Sequence, residues 1–542
     1  MIFFCENCGS KLPADARFCE NCGCVACNED ITNTKSKNTP ENYNIFSYDD
    51  WKKKYLEIFS ENPQKRIGII LLNTSNCSDK SREELMDIIS SFIDFKLQGD
   101  VYYTVLDIYD QRVKKGWFDG SPGNLSHTIK TLTEVYNVAN PSYLMIIGDK
   151  DCIESAKWRN GMYDPSGEGD PDKYIDSDLP YISLNTSSLF DETQHSLRIP
   201  VGRIPSSAET GFEEAKIYLK NLMALEDKYR TPSPACLSAE EWQSVSSLNF
   251  EHSRLDLYPC PPYTFVDDIY QPGVRTIDNI NDYNLLCYNV HGSPEHNYWA
   301  SGNGTLAFSP KALPNNSESG YVIATEACYG AKPVIDLSQE ETILLGAIKN
   351  RCLGYVGSTQ VAYGATDRGL EMGFPASCAD ILVGSFAKYV IEGYSLGIAY
   401  LKAILNLFSD SNSIDPEELK TAGSFALYGD PSIRFYSSGS AKSTNPKQAL
   451  PHIAMPNVRT AVNMKLASVS QELAAKMGDF MSQFHGSAAK STQMKYYSLA
   501  GHNGYRAVCK SKNPKGSANG IYNIVSVYFD SKGDPKRIYC SR

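Results

Sequence analysis

Short apolar runs alternate along the chain with longer stretches whose apolar residues recur at helical spacing. Strand-like runs occupy Ile67–Leu72, Val101–Ile108, Tyr143–Gly148, Ile199–Ile204, Leu285–Val290, Tyr321–Ala327 and Leu353–Gly357. Helix-like stretches at Arg82–Leu97, Leu125–Val138, Glu209–Tyr229 and Thr342–Asn350 separate them, and long helices follow from Cys378 to Phe408. A short helix is also expected around Trp51–Phe59. Runs such as IGIILL are apolar at every position, as strands buried on both faces are. The strand–helix alternation predicts an α/β fold with a mostly parallel sheet.

Two polar segments interrupt this pattern and read as linkers: residues 28–45, which contain Pro40, and residues 437–456, rich in Ser, Pro and Lys. They leave an N-terminal piece at 1–27, a core at 46–436 and a C-terminal part at 457–542. The last begins with a helix-like segment, Val458–Phe484. Short runs follow at Met494–Leu499, Tyr505–Lys510, Tyr522–Phe529 and Arg537–Cys540, with Gly533 in the final turn, which predicts a small α+β appendage.

A chain of 542 residues can support several such units, each with its own core. With 42% hydrophobic and 21% charged residues the composition is that of a soluble globular protein, and no apolar run reaches the ~18 residues needed to cross a bilayer. Lys+Arg 52 against Asp+Glu 63 gives a net charge of −11, which disfavours general attraction to nucleic acid or anionic lipid. The N-terminal text MIFFCENCGS lacks the basic start and apolar stretch of a secretory signal, so the expected compartment is the cytoplasm.

Six of the 16 cysteines lie in the first 27 positions. Cys5-x2-Cys8 and Cys19-x2-Cys22, each pair followed by glycine, supply four thiolates at the spacing of a tetrahedral structural zinc site. The segment resembles the short zinc ribbons that open many prokaryotic proteins. Cys24 and Cys27 are extra to such a ribbon and are read as spare thiols, alternative ligands or a redox pair.

Two strand-like runs end in reactive side chains: LLCYNV precedes His291-Gly292, and YVIATEA precedes Cys328. In a parallel sheet both emerge at carboxyl ends of strands, where α/β folds place their ligands. An imidazole can take the thiol proton and return it to a leaving amine, the chemistry of acyl transfer. Gly292 N–H and the Cys328 amide could then stabilise a tetrahedral oxyanion. His296 shares the His291 loop but lacks a strand immediately before it.

The blocks YLMIIGD (Tyr143–Asp149), IPVGRIP (Ile199–Pro205), YNVHGSPEHNYW (Tyr288–Trp299), EACYG (Glu326–Gly330), GYVGSTQVAYG (Gly354–Gly364) and LYGDPSI (Leu427–Ile433) together resemble the gingipain-type cysteine peptidases of the caspase-like superfamily. The resemblance covers about residues 65–436. It implies a caspase-like α/β sandwich and peptide hydrolysis by a Cys-His dyad, with Cys328 as nucleophile, His291 as general base and acid, and Gly292 as oxyanion partner. Trp299 falls where the family contributes an aromatic to the substrate cleft, or else packs in the core. SDLPY (Ser177–Tyr181) resembles the block carrying the specificity aspartate, so Asp178 would face an Arg or Lys side chain. Its neighbours Asp170, Asp172 and Asp176 leave open a solvated loop or a calcium site. Glu168 is the candidate third catalytic member.

The expected function is thus an intracellular endopeptidase acting on selected protein substrates, with a regulatory protein partner engaged through the ribbon or the C-terminal part. The alternatives are a zinc-ribbon docking scaffold with an inactive core, or an acyl transfer other than hydrolysis.

Overall fold

The computed structural model describes residues 65–108, 124–436 and 464–542, with internal breaks at 168, 191–194, 229, 252–254, 260–276, 278, 302–305, 316–317, 334–340, 410–414, 486–493, 500–503 and 512–522, and the short pieces 3–4, 11–12, 53, 57 and 453–454. The zinc ligand set Cys5, Cys8, Cys19 and Cys22, together with Cys24, Cys27 and Glu168, lies outside the described residues.

The strands that matter below are β1 (Arg66–Leu72), β2 (Val101–Asp107), β3 (Tyr143–Ile147), β4 (Val201–Ile204), β5 (Pro234–Ser238), β6 (Asp256–Pro259), β7 (Leu285–Asn289), β8 (Tyr321–Thr325), β9 (Cys352–Ser358), β10 (Tyr363–Gly364) and β11 (Phe425–Gly429). The C-terminal part adds β12 (Met464–Leu466), β13 (Lys495–Leu499), β14 (Gly504–Ser511), β15 (Asn523–Asp530) and β16 (Pro535–Ser541).

Ten strands form one sheet in the order β6-β5-β7-β8-β9-β11-β4-β3-β1-β2. Every neighbouring pair is parallel except β9 with β11. The inner strands are buried throughout, which is why their sequences are continuous apolar runs. Connecting helices are capped from the sequence. The Ser78 side chain accepts from Ser81 N at the start of Asp79–Gln98, and Asn124 accepts from Ser126 N before Leu125–Ala139. Asn140, left-handed at φ 41°, ends the latter helix. The apolar stretch Cys378–Phe408 is two helices, Ala379–Ile391 and Leu396–Leu407, divided at Gly393–Ser395.

Two family-like blocks hold the sheet together. In IPVGRIP, Arg203 makes a buried fork on Asp178, with Nε–Oδ2 and Nη2–Oδ1 both at 2.7 Å. In LYGDPSI, Asp430 receives the Tyr103 hydroxyl at 2.5 Å and pairs with Lys96 at 3.0 Å.

The C-terminal part has its own core of Met477, Met481, Val527, Phe529 and Ile538, formed by helix Gln471–His485 against a sheet. That sheet runs β10-β16-β15-β14-β13-β12, so its edge strand belongs to the central region of the chain. Ion pairs weld the units: the buried Arg506 Nη2–Glu417 at 2.6 Å and the half-buried Arg537 Nη1–Asp415 at 2.8 Å, with the Tyr528 hydroxyl also on Glu417. The linker expected at 437–456 lies, apart from 453–454, outside the described residues. The unit is docked through desolvated charges that would be left unpaired on release. Its helix starts at Gln471 rather than Val458. No helix among the described residues is long and apolar enough to cross a membrane.

Candidate active site

Four adjacent parallel strands each deliver one part of the site at their carboxyl ends. β5 leads into Glu241 and Trp242, β7 into His291, β8 into Cys328, and β9 into the stretch Gln360–Gly364. This is the sheet rim where α/β proteins concentrate chemistry, because each strand there is followed by a loop free to carry polar groups.

The His291 backbone is held from behind by reciprocal hydrogen bonds with Ala300, at 2.8 and 2.9 Å. Gly292 then runs directly against the nucleophile turn. A Cβ at Gly292 would lie 1.8 Å from the Cys328 carbonyl oxygen and 3.1 Å from its nitrogen. Only glycine permits that approach, which brings the two loops, distant in sequence, into contact.

His291 Nε2 lies 3.0 Å from Glu241 Oε1, and the ring packs edge-on against Trp242 with centroids 4.5 Å apart. Its Nδ1 is buried without a hydrogen-bond partner. Burial acts to raise the Glu241 pKa, but the hydrogen bond and charge of His291, aided by Arg542, hold it below the usual carboxylate value. Glu241 was missed in the sequence because β5, PACLS, is short and begins with proline. The signal was there in a strand-like run ending in an acidic pair and tryptophan.

Cys328 is 3% exposed. Burial pushes its thiol pKa up to about 12, while backbone hydrogen bonds from Ala362 and Arg542 pull the other way. The Ala362 amide lies 3.3 Å from the sulfur. The following residue, Tyr329, is left-handed at φ 53° and is fixed by its hydroxyl on Asp172 at 2.6 Å and its amide on Gln360 O at 2.9 Å.

The acidic loop has a structural task. Lys420 joins Asp170 at 2.6 Å and Asp172 at 2.7 Å, and Asp172 also receives Val361 N at 2.8 Å. Asp178 has both oxygens on Arg203, and Asp176 lies 3.6 Å from Lys150. Asp178, expected to face a substrate side chain, thus has both carboxylate oxygens on a cation of the chain itself. Three cations of the chain serve these four carboxylates, Asp170 and Asp172 sharing Lys420, and no cluster of three or more metal-ligating side chains occurs among the described residues. Trp299 packs in the core against Tyr288 and Phe308, with centroids 4.9 and 5.5 Å away. His296 stacks on Tyr298.

A different pair of acids borders the nucleophile. Glu326 and Asp380, both fully buried, face the guanidinium of Arg542. Asp380 Oδ1 receives Arg542 Nη2, while its Oδ2 accepts the Ala365 amide at 2.6 Å and the Ser377 amide at 3.2 Å. Glu326 Oε2 lies 3.3 Å from Arg542 Nε. Burial, then the charge of Asp380, pushes the Glu326 pKa well above the carboxylate range. The guanidinium lies over the Trp242 ring, 4.4 Å from its centroid. It also crosses Gly364, where a Cβ would come within 2.2 Å of Nη2.

A family model, peptidase family C25, matches residues 77–436. The chain belongs to that family. It is a cysteine-type peptidase by descent, and such an enzyme acts on protein substrates. The chain is also similar to a solved structure titled "Structure of Protease", at 14% identity and TM-score 0.42, covering 89% of this chain and 93% of that one. A second similar structure is the Saccharomyces cerevisiae separase–securin complex, at 12% identity and TM-score 0.29, covering 71% of this chain and 23% of that one. No curated protein matches the chain.

Proposed function

We propose that this C25 peptidase cleaves polypeptides on the carboxyl side of arginine. The observation that carries the reading is the buried guanidinium site of Glu326, Asp380 and Trp242 immediately beside Cys328. Two carboxylates and an aromatic face suit the planar fork of arginine, which pairs laterally and stacks flat, better than the point charge of lysine.

In this mechanism His291 Nδ1 takes the thiol proton, and the Cys328 sulfur attacks the carbonyl carbon that follows the arginine Cα. The oxyanion is met by the amides of Gly292 and Cys328. As the carbon–nitrogen bond breaks, His291 returns the proton to the leaving amine, leaving a thioester. Water, deprotonated by His291, attacks the thioester, and the thiol leaves with a proton. Glu241 is a positioning residue: its carboxylate on Nε2 orients the ring and favours the imidazolium that forms. The N-terminal cysteine pairs and the docked C-terminal unit are proposed to serve zinc binding and control of access respectively.

The test is hydrolysis of fluorogenic peptides differing only in the residue before the scissile bond. Cleavage after arginine, abolished by Cys328→Ala, is expected. Equal cleavage after leucine or glutamate would overturn the assigned specificity. A chain in which Cys328→Ala makes no difference would overturn the mechanism.

A further inference from the structure

We propose that the segment Pro535–Arg542 is a tethered, substrate-like occupant of the cleft, which keeps the peptidase closed until the segment is displaced. This rests on the reading of the Glu326–Asp380 pocket as the arginine subsite and adds its regulation.

Ser541 and Cys540 pair antiparallel with Tyr363 and Gly364, and Arg542 N donates to Ala362 O at 3.0 Å. The segment is therefore added as a strand beside Tyr363–Gly364, the way extended peptides are recognised. Residues Ile538–Arg542 are all buried, Ile538 and Cys540 in the core of the C-terminal unit, and the side chain that reaches the acidic pocket is Arg542. That side chain is 0% exposed. With it in place, His291 is 1% and Cys328 3% exposed, so no second polypeptide reaches either.

β16 is paired along its length with β15, and Ser541 Oγ accepts the Ile524 amide at 2.8 Å. The unit carrying them is fixed by the buried Arg506–Glu417 pair and by the Arg537–Asp415 pair. An intramolecular ligand on even a short flexible linker has an effective concentration on the order of millimolar, and a folded strand is more confined than that. A micromolar substrate therefore competes poorly. Opening needs either Ser541–Arg542 to peel from β10 or the whole C-terminal unit to undock, and a partner that binds the unit could drive the second.

The high thiol pKa of Cys328 fits a covered nucleophile, since desolvation is its leading cause.

The experiment compares the full chain with Arg542→Ala by two readouts. One is the rate of Cys328 alkylation by iodoacetamide, followed by peptide mass spectrometry. The other is kcat/KM on an arginyl aminocoumarin peptide. Both are expected to rise at least about tenfold in the variant, given the lost tethered competitor. A free peptide of residues 537–542 carrying Cys540→Ala should then inhibit the variant competitively, raising apparent KM at unchanged kcat. Equal alkylation of the folded variant and the parent, within about twofold, overturns the inference. Should Arg542→Ala unfold, Arg542→Lys carries the test: faster alkylation than the parent supports the plug, and an unchanged rate overturns it. Faster alkylation without cleavage of any arginyl peptide upholds the plug and sinks the proposed specificity. Full cleavage by the unmodified chain at the rate of the variant does the reverse.

Discussion

The sharpest quantitative prediction concerns Asp380→Asn, made in the Arg542→Ala background so that the pocket is open to added substrate. Asp380 Oδ2 is pinned by the Ala365 and Ser377 amides, so an asparagine keeps its oxygen there and turns its NH2 toward the guanidinium. A charge-assisted hydrogen bond in a fully buried pocket is replaced by two donors facing each other. Such a bond contributes about 1.5–3 kcal/mol. The remaining acid, Glu326, is freed from the adjacent negative charge that raises its pKa, so it ionises more readily beside the substrate and limits the loss. A loss of about 1.5–2 kcal/mol then corresponds to a ~10–30-fold fall in kcat/KM for arginyl peptides, at 1.4 kcal/mol per decade. The assay pairs each arginyl peptide with its citrullyl counterpart, which has the same shape without the charge. The citrullyl rate should change by less than about threefold, since no charge pairing is lost. A similar loss on both peptides, or on neither, would refute the claim that Asp380 reads the guanidinium.

Further outcomes follow from other contacts. Gly292→Ala places a methyl 1.8 Å from the Cys328 carbonyl, so activity should fall at least about a hundredfold while the fold survives, because only the two rim loops must part. Cys328 alkylation in the unmodified chain should keep rising about tenfold per pH unit beyond pH 9. The sign follows from a thiol pushed up to about 12, which leaves only the neutral form at neutral pH; a plateau near pH 8 would contradict it. Arg506→Met leaves the buried Glu417 without its cation, costing about 3–5 kcal/mol, and should expose Cys328 by undocking the C-terminal unit, with adding Glu417→Leu restoring much of the urea midpoint. Metal analysis should find about one zinc per chain, lost when Cys5 and Cys8 are both replaced, as four thiolates at this spacing close one tetrahedral site.

The sequence by itself determined the α/β alternation and the family-like blocks, because period and chain order are local properties. It also nominated His291 and Cys328, since each follows its own apolar strand. Tertiary structure decided what the charges do. Asp178 and the buried arginine Arg203 are 25 positions apart, and nothing local announces that they satisfy each other. Glu241, 50 positions before His291, reaches it only because β5 and β7 are neighbours in the sheet. Arg542 meets Asp380 from 162 positions away. Which carboxylate is neutralised, and by which cation, depends on desolvation and on contacts across strands, and a linear text carries neither.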